Sequence, residues 1–490
     1  MKIIIDTKKQ TEKFENFWNN IHFHPTDAVE DEWGREILEN VAKDNVAKTV
    51  RLYSMFEDVV SEKNGELVYD FSLTDKRFDY MVEKGFKLLI CYNFMPLCIA
   101  KDKNLIANMP RYKDKTFNFS EPKDYALWEK VCYDFTNHLL ERYGEKAKEW
   151  YIHCWNEPDH WYWLNNNRGE TFDQDKVDGY IRLYNAFYDG VKKACPEIKV
   201  GGPSASSNMQ FIESVLKAVG HKMDFLSIHT YATGASAIND GESPHVDNIL
   251  KRTEAIYEVS EKVGCPAKEI VIDEWSVSAS GFKNMDFCPK IYIRNNEYFS
   301  AFYFKMIDKM SEMRRKKNIP ISKMLICLSG QHWLKKDFEG YCNFFTLNGF
   351  KKPIYNAYAL GAKLFKNRIP VSVDKENVGV IATKEDEKYA ILLYNSIEEI
   401  GRENEEDITV EIKGISGEKK VVIYEIDKEN ANSYTKFLSL GVSEKITPEE
   451  CELIKKAGEL KAVEKVIDFD SEKEFFVTMK TNSVKLAIIM

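Results

Sequence analysis

From about residue 16 to residue 366, short runs of consecutive apolar residues alternate with longer stretches in which apolar positions recur three or four residues apart. The first texture fits strands buried on both faces, the second amphipathic helices. The predicted strands are Asn20–Phe23, Lys48–Tyr53, Lys87–Tyr92, Glu149–Cys154, Lys199–Gly202, Asp224–His229, Glu269–Asp273 and Lys323–Leu328. Helical patterns between them include Asp31–Lys43, Asp75–Lys84, Lys123–Tyr143, Asp178–Ala194, Val246–Val263 and Asn295–Arg314. Strand and helix in strict alternation predict an α/β chain folded as a (β/α)8 barrel, with functional residues at the C-terminal strand ends.

Beyond residue 367 the period shortens. Val378–Thr383, Lys388–Tyr394, Asp407–Ile412, Lys419–Ile426, Phe475–Lys480 and Ser483–Ile489 read as strands of an antiparallel β-sandwich, with a helix at Thr447–Ala457. The apolar Lys2–Ile5 run has no place in the barrel and is expected to add a strand to that sandwich. The predicted division is therefore a barrel over 16–366 and an accessory sandwich built from 1–15 and 367–490. A chain of 490 residues is long enough for two cores.

A net charge of -9 and no basic stripe argue against a nucleic-acid partner. The ten cysteines lie scattered in apolar segments without C-x-x-C spacing, which reads as reduced core thiols. Met1–Asp6 is too short an apolar run for a signal peptide or a membrane span. A cytoplasmic protein with no membrane partner is expected, and a homo-oligomer is left open. Aromatic residues make up 13% of the chain, enough to supply rings for stacking on sugars as well as for a core.

Two strand ends carry the chemistry. Trp155-Asn156-Glu157-Pro158 follows the fourth predicted strand and Asp273-Glu274-Trp275 ends the seventh. Glutamates on two strand ends of one barrel supply what glycoside hydrolysis needs, a proton donor and a nucleophile or base, and Asn156 supplies an amide for a substrate hydroxyl. Pro158 is expected to hold Glu157 extended. Which of Asp273 and Glu274 faces inward depends on strand phase. No metal-binding, phosphate-cradling or dinucleotide motif appears in context, so no cofactor is implied; His22 and His24 form a His-x-His pair that no further ligand set completes.

Together with Tyr69-Asp-Phe-Ser72, Asn93-Phe-Met-Pro96, Gly201-Gly-Pro-Ser204 and Asp224-Phe-Leu-Ser-Ile-His229, these motifs resemble glycoside hydrolase family 39, retaining (β/α)8 glycosidases that include β-xylosidases and α-L-iduronidases. The resemblance implies Glu157 as acid/base, Glu274 as nucleophile and Asn156 as the ligand of the 2-hydroxyl. It also implies His229 and Tyr231 as polar neighbours of the nucleophile, Tyr231 bonding Glu274, and Arg51 as its support. Tyr53 stands where xylosidases of the family carry a sugar-binding histidine, and Asp-Glu-Trp is closer to arabinofuranosidases of the same clan. Trp333 stands later than the expected aromatic after strand eight and is a candidate sugar platform; Trp161, Tyr162 and Trp163 are candidate subsite walls. The expected activity is release of terminal sugars from plant-type oligosaccharides, with β-xylosidase leading and α-L-arabinofuranosidase or iduronidase-like action behind it. A non-catalytic carbohydrate-binding protein on a decayed barrel is the reading from another class.

Overall fold

The computed structural model describes the chain except for residues 24–28, 30, 109–115, 161–162, 166–170, 207, 280, 282, 331–332 and 442–445. Eight parallel strands close into a barrel: β1 (Asn20–His22), β2 (Thr49–Tyr53), β3 (Lys87–Tyr92), β4 (Tyr151–Cys154), β5 (Lys199–Ala205), β6 (Phe225–Tyr231), β7 (Ile270–Ser276) and β8 (Ile321–Cys327). Each pairs with its sequence neighbours, and β8 returns to β1 through Cys327 opposite His22. The strands lack polar–apolar alternation because one face packs on helices and the other fills the barrel. Leu89, Phe225, Val271 and Leu325 form a separate buried cluster below the site. Phe225 fits there because Gly201 opposite it has no side chain; a Cβ at Gly201 would stand 2.5 Å from the ring.

The outer helices follow local signals. Gln174–Ala194 starts at Asp173, whose carboxylate accepts from the amides of Asp175 and Lys176 and satisfies donors the first turn leaves free. It lies so close to Tyr125–Tyr143 that a Cβ on Gly190 would stand 2.4 Å from the Glu129 carbonyl oxygen. Two further helices, Met209–Val219 and Pro353–Gly361, follow β5 and β8. All nine residues of the second are buried, which leaves no polar face to mark its period.

The remaining strands form two sheets around a second core that includes Ile3, Ile5, Ile391, Val410 and Ile489. In the three-stranded sheet, Lys2–Asp6 pairs in parallel with Glu406–Lys413, which pairs with Glu474–Met479. The seven-stranded sheet runs from Glu12–Lys13 through Asn367–Ile369, Val378–Glu385, Lys388–Asn395, Ser483–Ile489 and Glu418–Ile426 to Ala462–Asp468. The last of these is exposed along nearly its whole length, so no hydrophobic alternation marks it in the sequence. Helices Ser433–Leu440 and Pro448–Gly458 fill the connection between Glu418–Ile426 and Ala462–Asp468, the second opened by a capping box of Thr447 and Glu450. All ten cysteines are free thiols. Among the described residues, no helix is long and apolar enough to cross a membrane.

Candidate active site

At the C-terminal mouth of the barrel the chain leaves β4 through a tight turn. Trp155 and Glu157 both take left-handed backbone, with φ of 64° and 46°. The extended conformation expected before Pro158 is not found. Two anchors outweigh that local preference: the Glu157 amide donates to the Ser204 carbonyl on β5 at 3.0 Å, and its own carbonyl accepts from His160 at 2.9 Å. Left-handed conformations of non-glycine residues cost roughly 1 kcal/mol or more and gather at functional sites.

Strand phase on β7 has an answer that periodicity does not anticipate. Consecutive strand residues normally point to opposite faces, yet Asp273 and Glu274 both reach Arg51. The β6–β7 pairing slips between Ile228 and His229, and the β7–β8 pairing slips between Ile272 and Trp275. Such irregularities re-aim side chains. Asp273 is sealed off from solvent, whereas the Glu274 side chain keeps 9% exposure and turns toward Glu157.

Arg51, wholly buried on β2, is the hub. Its Nη1 donates to Glu274 Oε1 at 2.7 Å and its Nη2 to Asn156 Oδ1 at 2.7 Å and Ser204 Oγ at 3.2 Å. Its Nε lies 3.1 Å from His153 Nε2 and 3.3 Å from Asp273 Oδ2. Tyr231 donates to the other Glu274 oxygen at 2.7 Å, and His22 Nδ1 stands 3.2 Å from Oε1. Burial would raise the Glu274 carboxyl, but the His229 charge, the hydrogen bond from His22 and the Arg51 charge outweigh it and hold the group well below the usual carboxylate range. One oxygen of Glu157, one of Glu274 and a ring nitrogen of His229 lie within 4.8 Å of one another. The arrangement presents an ionised carboxylate beside a second, partly solvated carboxyl.

Among the described residues, two trios have donors close enough to share a cation, Glu157 with His229 and Glu274, and His22 with Glu274 and Cys327. The Arg51 guanidinium already takes the Glu274 lone pairs and stands 3.1 Å from His22, so positive charge fills the place a metal would need.

Tyr53 is buried beside the pair, stacked on His22 at 5.7 Å and edge-on to Phe94 at 5.8 Å. Trp333 is half-buried on the segment after β8, its amide bonded to the Gly330 carbonyl at 3.2 Å. Trp163 is no subsite wall: it is fully buried, 4.9 Å from the Trp155 ring, with its indole donating to the Lys176 carbonyl. The apolar ring packs under the loop instead of lining the mouth. Trp161, Tyr162 and His24 lie outside the described residues. Sequence reasoning misses His153 and the cross-barrel contacts of Ser204, Asp273 and His22; the available signal is that each is a polar residue at the end of a barrel strand.

Among known proteins, the family model for glycosyl hydrolases family 39 matches residues 1–468. A β-xylosidase of Caldicellulosiruptor saccharolyticus is 25% identical over 489 residues, covering 94% of this chain and 92% of that protein. A β-xylosidase of Geobacillus stearothermophilus is 23% identical over 379 residues, covering 72% and 66%. The crystal structure of a monomeric β-xylosidase from Caulobacter crescentus CB15 superposes with a TM-score of 0.83 at 19% identity, covering 100% of this chain and 99% of that one, and so shares the fold.

Proposed function

The chain belongs to glycosyl hydrolases family 39 and is a glycosidase; from that premise we propose that it is a β-xylosidase working by double displacement with retention of anomeric configuration. In the first step a Glu274 oxygen attacks the anomeric carbon while Glu157 gives its proton to the departing glycosidic oxygen. That carbon–oxygen bond breaks, and a glycosyl ester on Glu274 remains. In the second step Glu157, now a carboxylate, takes a proton from water, whose oxygen displaces Glu274 and releases the sugar.

The observation that carries this reading is the closeness of the two carboxyls, with oxygens inside 4.8 Å. Retaining pairs stand about 5 to 5.5 Å apart, whereas inverting pairs need roughly 6.5 to 9.5 Å to admit a water. The bonds from Arg51 and Tyr231 to Glu274 suit a nucleophile that must be ionised before substrate arrives. Asn156, with its oxygen on Arg51, has its amide group left to meet the 2-hydroxyl. Xylose as the terminal sugar rests on the two β-xylosidases that match most of the chain.

The test is a panel of aryl β-xyloside, α-L-arabinofuranoside, α-L-iduronide, β-glucoside and β-galactoside, with Glu274→Ala beside the wild type. Turnover of the xyloside that disappears in the variant, with a first-formed product of retained configuration by NMR, is the expected result. Preference for another sugar removes the xylosidase assignment, and an inverted first product removes Glu274 from the nucleophile role.

A further inference from the structure

We propose that Asp273 is a positioning residue that keeps His229 in its imidazolium form between the two glutamates, with Nδ1–H aimed at Glu157. The inference rests on the reading of Glu157 and Glu274 as the reacting pair and deepens it.

The hydrogen-bond inventory around His229 leads to two ring protons. On one side Ser204 Oγ donates to Asp273 Oδ2 at 2.6 Å, which uses its only proton. The same oxygen lies 3.2 Å from Arg51 Nη2 and 2.9 Å from His229 Nε2, so it accepts from both. Nε2 must therefore carry hydrogen. On the other side Nδ1 faces Glu157 Oε1 at 2.9 Å and Glu274 Oε2 at 3.4 Å. A proton on Nδ1 turns repulsion between its lone pair and the Glu274 carboxylate into attraction, and leaves the proton that Glu157 donates to substrate on that residue's other oxygen.

Charge balance points the same way. Asp273 and Glu274 are both buried, and a single guanidinium serves them. An uncompensated buried carboxylate is strongly disfavoured, so a second cation is needed. Among the described residues, three buried histidines are at hand. His22 and His153 each stand 3.1 Å from Arg51, and burial together with the guanidinium pushes them down to about 4 and about 3. Both are neutral near pH 7. Ser204 stands between His229 and Arg51, and Asp273 Oδ2 lies 3.6 Å from Nε2. Burial alone would lower the His229 ring, but Glu274 and Asp273 overcome it and push it up to about 10. From the helix Val246–Lys262, the Arg252 guanidinium meets the His229 backbone carbonyl at 3.1 Å.

An Nδ1–H donating to Glu157 Oε1 at 2.9 Å fixes the orientation of that carboxyl through both steps. Asp273→Asn keeps the shape and removes the charge. His229 then gives up its extra proton at lower pH than in the wild type.

The test is ring nitrogen NMR of the full chain labelled in histidine, titrated from about pH 6 to pH 10, with His229 assigned from its loss in His229→Asn. In the wild type, both His229 nitrogens should stay protonated to above about pH 9; Asp273→Asn should lower that titration by roughly two units or more, a loss of about a hundredfold in proton affinity. A neutral His229 ring in the wild type at pH 7 overturns the proposal with no variant needed. An unchanged titration in Asp273→Asn overturns it too. Because the ring signal does not depend on turnover, inactivity on every glycoside would count against the proposed reaction and leave this result to be read separately.

Discussion

Arg51 Nη1 lies 2.7 Å from Glu274 Oε1, a contact between residues 223 positions apart in the chain. Its consequence is that the reactivity of one strand end is set by a cation on another, in a place closed to water. A planar fork can serve Glu274, Asp273 and Asn156 together, which a lysine ammonium cannot.

Replacing Arg51 with Met should therefore act on stability and on catalysis at once. Two buried carboxylates lose their partner, and removing one member of a buried ion pair costs about 3 to 5 kcal/mol. Urea unfolding should report that loss. The Glu274 carboxyl rises toward its ordinary value, so the acid limb of kcat/KM shifts to higher pH. A variant as stable as wild type with an unmoved acid limb would remove Arg51 from this role.

Glu157→Ala should discriminate between leaving groups. A poor leaving group needs protonation, and its loss should slow turnover by about 10² to 10⁴-fold. A strongly activated aryl xyloside needs little help in the first step and should form the glycosyl-enzyme nearly as fast as with wild type. Equal losses on both substrates, measured as pre-steady-state bursts, would argue against Glu157 as the acid.

Acid should weaken the fold through the buried histidines. His22 and His153 are depressed from 6.5 by burial and by Arg51, to about 4 and about 3. A depressed group stabilises the native state above its unfolded value, and that contribution fades as pH falls from 6.5 through the native value. For His22 it amounts to about 3 kcal/mol. His229 has the opposite sign: its contribution is complete below 6.5 and is lost as pH rises through about 10. The stability of His22→Asn, measured from pH 7 down to 4.5, should fall less steeply than that of wild type; parallel curves would rule His22 out.

Ile5 tests the N-terminal strand. It is fully buried in the sandwich core, on a strand paired with Glu406–Lys413. Ile5→Ala should cost about 2 to 5 kcal/mol. A change below 1 kcal/mol in thermal or urea unfolding would mean that the strand is dispensable.

Much of the architecture was legible in the chain because it is local. Runs such as Lys87–Tyr92 and Glu269–Asp273 carry their double-sided burial in composition, and the sandwich strands carry theirs in alternation. The two glutamates were legible because a barrel places strand ends at one mouth. The fully buried helix Pro353–Gly361 and the exposed strand Ala462–Asp468 were not, since neither has one polar and one apolar face.

What the sequence by itself determined is the order of elements and which residue types stand at the strand ends. The tertiary structure alone decided that Asp273 and Glu274 face the same arginine, that Glu157 turns at a left-handed residue, and that Ser204 and His229 meet Asp273. Bulges, anchoring hydrogen bonds and buried charge pairs join residues as far apart as 69 and 223 positions. Closure of the barrel makes those contacts, and no periodicity along the chain encodes them.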